Sequence, residues 1–248
     1  MERFSIPGKN GYEIPVKSCW TGEKQVLIVC HGFGSSKESP MVQALDERMP
    51  REGIGTVSFD FPAHGESPGQ EDTLRVPYCM DDLAAVEEYV RSQDPEVEIG
   101  YFGSSFGAYI TLLYLSQHPH PGAKVFLRSS AVTMPELVKT WLDQRAKEDL
   151  ARQGWFVPDY DYVREMRITP AFLGDLAEHD LFEKYVPGAA TLRMIHGAKD
   201  DVAPTGAARE FARRFGAHLT VLPNGEHPLM GPGELETVLD AAADFFSK

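Results

Sequence analysis

The stretch VEIGYFGSSFG, residues 97–107, joins an apolar strand-like run to a turn rich in glycine and serine. An apolar helical run, residues 106–116, follows directly. A strand that turns sharply into a helix needs small residues two places before and two places after the turning residue. Gly103 and Gly107 meet this requirement, so the spacing predicts a nucleophile elbow with Ser105 at its apex.

A serine nucleophile requires a histidine base and a carboxylate that orients the histidine. In a strand–turn–helix site both follow the serine along the chain, the acid first. Asp200 and Asp201 come just after the strand-like run 192–195, at the sheet edge where catalytic loops gather, and we favour Asp200 with Asp201 as its rival. His227 lies in a turn-rich loop after the next strand-like run, 219–222, and is the predicted base.

A pair of backbone N–H groups must also stabilise the oxyanion that forms when a serine attacks a carbonyl; one donor can lower the barrier by roughly 3 kcal/mol. Phe106 supplies the first, because it directly follows the nucleophile. The second is expected from the glycine-rich turn HGFGSS, residues 31–36, which follows the apolar run 26–30. We assign this donor to Phe33 and keep Gly34 as the fallback.

These motifs together resemble the α/β-hydrolase-fold serine hydrolases over nearly the whole chain. The resemblance rests on HGFG at 31–34, on DFPAHGES at 60–67, which matches the family loop D-x-x-G-H-G-x-S, and on the elbow, acid and histidine above. Two departures, Ala63 for the usual glycine and Ala203 for a common valine, touch no catalytic atom. Within the fold, the chain is similar to small bacterial esterases of the monoacylglycerol-lipase-like or cinnamoyl-esterase-like kind.

The alternation of strand-like and helix-like segments predicts an α/β fold, a mostly parallel eight-stranded sheet with helices on both faces. The predicted strands are Glu2–Ile6, Tyr12–Trp20, Val26–Cys30, Gly55–Asp60, Val97–Phe102, Lys124–Arg128, Leu192–Ile195 and Leu219–Leu222. The first two are expected to form an antiparallel hairpin. Helices are expected at about 40–49, 81–92, 205–215 and at the end of the chain, besides the one after Ser105.

Residues 129–188 interrupt this alternation and are too long for a simple connection. We therefore divide the chain into a core, residues 1–128 and 189–248, and a helical cap insertion, residues 129–188. Thr133 and Glu136 are expected to form a capping box for a helix that runs through Trp141 towards Gly154. Further helices are expected at 158–166 and 170–185.

The cap is rich in aromatic side chains, and a cap over a serine site usually walls the acyl or aryl pocket. We predict a substrate pocket formed by His31 and Gly34 of the core with Trp141, Trp155 and Phe172 of the cap. His31, like His64 and His196, precedes a glycine at a turn, so it is expected to shape a loop rather than to transfer protons.

Composition excludes several functional classes. The net charge of −13 argues against nucleic-acid binding, which needs a basic surface. It also disfavours highly anionic substrates at long range, although a local basic group can override this effect. No apolar run is long enough to span a bilayer, and the N-terminus lacks an apolar signal core, so we expect a cytoplasmic protein.

We expect no cofactor and no metal. The three cysteines, at scattered positions, fit reduced thiols better than a zinc site or a disulfide framework. The expected partner is a small-molecule ester, and a homodimer is left open. The predicted reaction is two-step hydrolysis of carboxylic esters, and the alternatives are a thioesterase or acyl-aminoacyl peptidase that uses the same residues, or a non-catalytic binding protein on the same scaffold.

Overall fold

The computed structural model describes residues 1–160 and 162–248. Eight strands form one sheet in the order β1-β2-β4-β3-β5-β6-β7-β8. Strands β1 and β2 are antiparallel to each other, β2 is antiparallel to β4, and the other pairs are parallel, which confirms the predicted α/β fold. Their bounds are Glu2–Pro7, Glu13–Ser18, Gln25–Cys30, Ile54–Phe59, Glu98–Ser104, Lys124–Arg128, Thr191–Gly197 and His218–Leu222.

Strand β5, which leads into the elbow, lies between β3 and β6 in the middle of the sheet. Almost every side chain of these three strands is buried, as continuous apolar runs in a sheet covered on both faces should be. The carboxyl ends of the parallel strands therefore meet at one edge. The turns after β3, β5, β7 and β8, which carry the predicted site residues, all leave from that edge.

Helices cover both faces of the sheet. Helices α1 and α9 pack on one face in a core cluster with side chains such as Phe102 and Phe126. Helices α2, α3 and α8 pack on the other face, where the cluster contains Tyr101 and Val125. The bounds are Pro40–Arg48 for α1, Val76–Gln93 for α2, Phe106–Gln117 for α3, Thr205–Phe215 for α8 and Glu234–Phe246 for α9.

The segment between β6 and β7, hereafter the β6–β7 segment, contains shorter helices than predicted. The single helix expected from Thr133 towards Gly154 is two helices, α4 (Met134–Lys139) and α5 (Gln144–Gln153). They are separate because the side chain of Asp143 accepts a hydrogen bond from the N–H of Ala146 and starts a new helix. The predicted capping box is also wrong, since the Thr133 side chain makes no cap bond and Glu136 pairs with Lys139 instead.

The predicted helix at 158–166 is wrong for the described residues of that range, 158–160 and 162–166, which are irregular. Phe156 instead pairs with Ile168 as an antiparallel bridge, and the described residues between them, 157–160 and 162–167, form neither helix nor strand. The helix expected at 170–185 is interrupted at Asp180, whose side chain caps a new turn. It forms α6 (Pro170–Glu178) and the short α7 (Leu181–Lys184).

Asp175 of α6 ties the β6–β7 segment to the core. Its buried carboxylate accepts hydrogen bonds of 2.6 and 2.7 Å from the Arg75 guanidinium. It also accepts one from the N–H of Val76, the first residue of α2. Bidentate guanidinium–carboxylate pairs fix orientation as well as distance, so α6 is held against the start of α2.

Asp82, fully buried on α2, is the basis of a prediction about stability. Burial raises the pKa of Asp82 to about 8, and the charge of Asp81 contributes to this rise. The hydrogen bond that the Tyr12 hydroxyl donates to the carboxylate opposes it. In the unfolded chain the Asp82 carboxyl has an ordinary pKa of about 3.9. Because the folded state binds the proton more tightly, this group stabilises the fold below about pH 4, and that contribution is lost as pH rises to about 8.

Replacing Asp82 by asparagine keeps an acceptor for Tyr12 and removes the titration. We therefore expect Asp82→Asn to be more stable than wild type at pH 9, by on the order of a few kcal/mol, with little difference at pH 4. Urea unfolding at pH 4, 6 and 9 measures this, with Glu88→Gln on the exposed face of α2 as the control. Parallel pH profiles for Asp82→Asn and wild type would contradict it.

Within the described ranges 1–160 and 162–248, no helix has the length and apolar character needed to cross a membrane.

Candidate active site

The elbow requires glycine on both sides of Ser105, because the surrounding backbone leaves no room for a side chain at Gly103 or Gly107. A Cβ on Gly103 would lie 2.7 Å from the Cα of Ala108. A Cβ on Gly107 would overlap the carbonyl oxygens of Cys30 and His31. Ser105 between them has φ +51° and ψ −111°, a conformation that L residues rarely adopt, so the surrounding packing imposes it.

Ser105, His227 and Asp200 form one hydrogen-bonded chain. The Nε2 atom of His227 lies 3.0 Å from the Ser105 Oγ. Its Nδ1 atom lies 2.8 Å from the Asp200 Oδ2 and 3.0 Å from Oδ1. A carboxylate only accepts hydrogen bonds, so Nδ1 carries the proton and Nε2 is left to accept the proton of the serine. This is the arrangement that a histidine base requires.

Asp200 has hydrogen-bond partners in addition to His227. Its carboxylate accepts hydrogen bonds from the amides of Val202 and Ala203, and His196 Nε2 lies 3.0 Å from its Oδ2. Burial alone would raise the pKa of Asp200, but the hydrogen bonds from His196, His227 and Ala203 hold it well below its ordinary range. Asp200 is therefore ionised at neutral pH.

The rival acid, Asp201, is exposed and makes no hydrogen bond to His227. Asp200 is buried whereas Asp201 is exposed, a difference that the sequence alone does not show. His196 was expected only to shape a loop; in the structure it contacts the carboxylate that orients His227, at the far end of β7.

The two predicted oxyanion donors flank Ser105. Phe106 begins α3 directly after it, and the turn that carries Phe33 lies against the elbow, since a Cβ on Gly32 would be 3.5 Å from the Ser105 Cβ. Neither the Phe33 nor the Phe106 amide donates a hydrogen bond to another described residue. Both N–H groups are therefore available to an oxygen bound at the serine.

The fallback donor, Gly34, belongs to the same turn. Its φ of +67° favours glycine, and a Cβ there would overlap the ring of Tyr162. Its carbonyl accepts a hydrogen bond from the N–H of Val163, so the β6–β7 segment supports the turn directly.

A sequence profile of the alpha/beta hydrolase fold matches residues 25–159, more than half of the chain. The chain belongs to the alpha/beta hydrolase family. Palmitoyl-protein thioesterase ABHD10, mitochondrial, from Bos taurus is 21% identical to this hydrolase over 234 residues, which cover 92% of this chain and 74% of the relative. For the human protein of that name the identity is 23% over 199 residues, 78% of this chain and 62% of the relative.

Two solved structures show the same fold. A putative hydrolase from Agrobacterium vitis S4 has a TM-score of 0.83 at 20% identity, and 98% of each chain is covered. Est1E from Butyrivibrio proteoclasticus, solved with ferulic acid bound, has a TM-score of 0.78 at 19% identity, with 99% of this chain and 100% of Est1E covered. The predicted fold and the predicted resemblance to bacterial esterases are confirmed.

Two cavities of this hydrolase meet at Ser105, which lines both of them together with Phe33 and His227. The first, the aromatic cavity, has a volume of about 280 Å³ and lies beneath the β6–β7 segment. Its other lining side chains include Met134, Leu137, Trp141, Tyr160, Tyr162 and Val202. The second, the α1 cavity, has a volume of about 300 Å³ and extends from His31 towards the start of α1.

The structure places the predicted pocket residues differently. Trp141 lines the aromatic cavity and His31 the α1 cavity. Phe172 lies behind the wall, fully buried with its ring 5.9 Å from that of Phe33. Trp155 lines neither cavity, because the Arg167 guanidinium stacks on its ring at 4.4 Å. Gly34 also lines neither cavity, because the ring of Tyr162 packs against it. We therefore correct the pocket prediction for Gly34, Phe172 and Trp155.

His31 is fixed by two backbone groups. Its Nε2 accepts the N–H of Phe61 at 3.1 Å, and its Nδ1 donates to the carbonyl of Gly32 at 2.8 Å. Burial lowers the pKa of His31, although the Asp60 charge opposes this. The neutral ring holds the turn after β3 in place, as its position before a glycine predicted.

Sequence reasoning missed Arg128, the last residue of β6. Its guanidinium donates to the Ser104 Oγ at 2.7 Å and to the carbonyl oxygens of His227 and Pro228. The hydroxyl of Ser129 donates to the same His227 carbonyl at 2.7 Å. The signal that could have revealed Arg128 is a basic residue that ends a buried strand beside the strand of the elbow.

Proposed function

We propose that this hydrolase cleaves carboxylic esters with an apolar acyl or aryl-acyl group, with Ser105 as nucleophile, His227 as base and Asp200 as the acid that orients it. The observation that supports this most strongly is the hydrogen-bonded chain from Ser105 through His227 to Asp200. A serine hydroxyl is a weak nucleophile until a base removes its proton, and the chain provides that base in the required tautomer.

In the first step, the Ser105 Oγ attacks the ester carbonyl carbon while His227 Nε2 takes its proton. The amides of Phe33 and Phe106 bind the resulting oxyanion, as preorganised donors that need no rearrangement. The tetrahedral intermediate then expels the alcohol, which takes its proton from His227. A C–O bond to Ser105 has formed, the C–O bond to the alcohol has broken, and Asp200 has stabilised the transient imidazolium.

In the second step, a water molecule loses a proton to His227 and attacks the acyl-enzyme carbonyl. The bond between the carbonyl carbon and Ser105 breaks, and the proton on His227 returns to the Ser105 Oγ. The net reaction is the addition of one water to the ester, which gives an acid and an alcohol.

The aromatic cavity supports an apolar group in the substrate. Its walls at Phe33, Trp141 and Tyr162 are aromatic, and the rings of Phe33 and Tyr162 pack edge to face at 5.6 Å. Binding sites for small molecules are mainly apolar with few polar groups. The β6–β7 segment provides most of this wall, so we assign it the role of a cap.

A thioester is the second candidate substrate, because the bovine and human relatives are named palmitoyl-protein thioesterase. The same three residues serve both reactions, and only the leaving group differs. A thioester would be attacked by Ser105 in the same way and would release a thiol.

A matched substrate panel distinguishes the candidates. We expect wild type to hydrolyse p-nitrophenyl esters of graded acyl length and methyl ferulate, and to bind a fluorophosphonate probe covalently at Ser105, as located by mass spectrometry. The S-acyl N-acetylcysteamine thioester of the best acyl group compares the two leaving groups directly. A higher kcat/KM for the thioester favours the second candidate, cleavage of an aminoacyl anilide alone indicates a peptidase, and no turnover with no probe labelling favours a non-catalytic protein.

A further inference from the structure

Arg128 is a buried cation without a carboxylate partner among the residues that the structure describes. The residue is only 8% exposed, and it forms no salt bridge within residues 1–160 and 162–248. Its acceptors are a serine hydroxyl and two backbone carbonyls, and its Nε has no acceptor among those residues. Buried charges in proteins are normally paired, so an unpaired guanidinium beside a reactive serine calls for an explanation.

The nearest acid does not neutralise it. Burial lowers the pKa of Arg128 to about 10, and the Asp200 charge only opposes that change from a distance. The Asp200 carboxylate itself is already bound by His196, His227 and two amides. At neutral pH the guanidinium is still charged, and Arg128 is one of the residues that line the α1 cavity.

Other groups of the α1 cavity also suit an anion. Three serines, Ser35, Ser39 and Ser104, are among the residues that line it. Ser39 is the N-cap of α1, a nine-residue helix, and the first residues of that helix, Pro40 to Val42, form part of the wall. A helix N-terminus carries partial positive charge, and here it adds to the charge of Arg128. The rest of the wall is mainly apolar, and none of the described residues that line it is acidic.

We propose that the α1 cavity binds a carboxylate carried by the substrate, with Arg128 as its counterion. This inference rests on the proposed ester hydrolysis and specifies its substrate class. The two cavities meet at Ser105, so the ester bond lies between an apolar part in the aromatic cavity and a carboxylate-bearing part in the α1 cavity. Arg128 thereby selects anionic esters even though the whole chain carries a net charge of −13.

A purely structural role for Arg128 is the alternative, because its guanidinium also holds the carbonyls of His227 and Pro228. Loss of that support would slow the hydrolysis of all esters equally. A ratio between a charged ester and its neutral counterpart is unaffected by such a common loss, so the ratio is the quantity to measure.

Two pairs of esters test the proposal in wild type. Monobenzyl glutarate and benzyl 5-oxohexanoate differ only by a carboxylate or a methyl ketone on the acyl side. The pair 4-(phenylacetyloxy)butanoate and 5-(phenylacetyloxy)pentan-2-one differ in the same way on the alcohol side. We expect kcat/KM to favour the carboxylate by about tenfold or more in one pair, since hydrogen bonds to charged groups are strong. The favoured pair identifies the side that occupies the α1 cavity.

Variants of Arg128 then identify the counterion. In Arg128→Gln we expect the preference to disappear, whereas Arg128→Lys keeps the charge and should retain part of it. Ratios at or below one in wild type for both pairs would overturn the proposal while ester hydrolysis itself stands. A wild-type preference that persists undiminished in Arg128→Gln would also overturn it.

Binding of glutarate, measured by calorimetry, separates this inference from the proposed reaction. We expect wild type to bind glutarate and Arg128→Gln to bind it at least about tenfold more weakly. If none of the four esters is hydrolysed but glutarate binding depends on Arg128, the carboxylate site stands and ester hydrolysis fails. Wild type that fails to bind glutarate overturns the carboxylate site, whatever its activity.

Discussion

Replacing Ser105 by alanine is expected to lower kcat for the best ester by about 10⁴-fold or more, because removal of the nucleophile leaves only the oxyanion donors and binding. Among the described residues, the side chain of Ser105 makes one hydrogen bond, to His227. Its backbone N–H donates to the carbonyl of Arg128, and its carbonyl accepts from Tyr109 and Ala131. The free energy of unfolding should therefore change by less than about 1 kcal/mol. Initial rates and urea unfolding of the same preparations measure both quantities.

Ser92→Ala is the matched control, since Ser92 is an exposed serine at the far end of α2. It should retain the wild-type rate. Hydrolysis by Ser105→Ala at more than one hundredth of the wild-type rate, in protein free of contaminating esterase, would show that Ser105 is not the nucleophile. Fluorophosphonate labelling at another residue would lead to the same conclusion.

Replacing Asp200 by asparagine is expected to lower kcat by about 10³- to 10⁴-fold. The side chain keeps its shape, but an amide N–H group turned towards His227 requires an unprotonated Nδ1. The proton then lies on Nε2, which faces the Ser105 Oγ and no longer accepts its proton. The effect is on kcat, and KM should change little because Asp200 lines neither cavity.

Asp201→Asn is the comparison variant, because it changes the neighbouring carboxylate, which makes no hydrogen bond to His227. Its loss of kcat should be at least a hundredfold smaller than that of Asp200→Asn. If Asp200→Asn works at nearly the normal rate and Asp201→Asn does not, the role belongs to Asp201. Because the pKa of Asp200 is depressed, its ionised form stabilises the fold above about pH 4, so a lower Tm at neutral pH is also expected for Asp200→Asn.

The sheet and the Ser105–His227–Asp200 arrangement could be predicted from sequence because their determinants are local. Apolar runs such as Val26–Cys30 are buried on both faces, and glycines at fixed spacing around Ser105 meet steric limits that no other residue satisfies. Parallel strands also bring their carboxyl ends to one edge. Residues that directly follow those ends, such as Asp200, therefore lie close together whatever the intervening chain does.

The β6–β7 segment could not be predicted in the same way, because its contacts, both with the core and between its own parts, join residues that are far apart in the sequence. A short helix such as α4 depends on packing, and intrinsic propensity is too weak to fix its ends. The aromatic character of Trp155 suggested a packed ring but not what the ring packs against. In the structure it stacks on Arg167 and does not line the predicted substrate pocket. Similarly, no pattern within β6 shows that Arg128 has no acidic partner within 1–160 and 162–248, since that depends on which side chains approach from other elements.

The bidentate pair between Arg75 and Asp175 has a consequence for how substrates reach Ser105. A movement of α6 away from α2 would break both hydrogen bonds and leave the buried Asp175 carboxylate without its cation. Phe172 of the same helix packs against Phe33, which lines both cavities, so this pair also restrains the wall beside Ser105. We therefore expect the fixed shape of this wall, rather than a movement of α6, to decide which molecules reach Ser105.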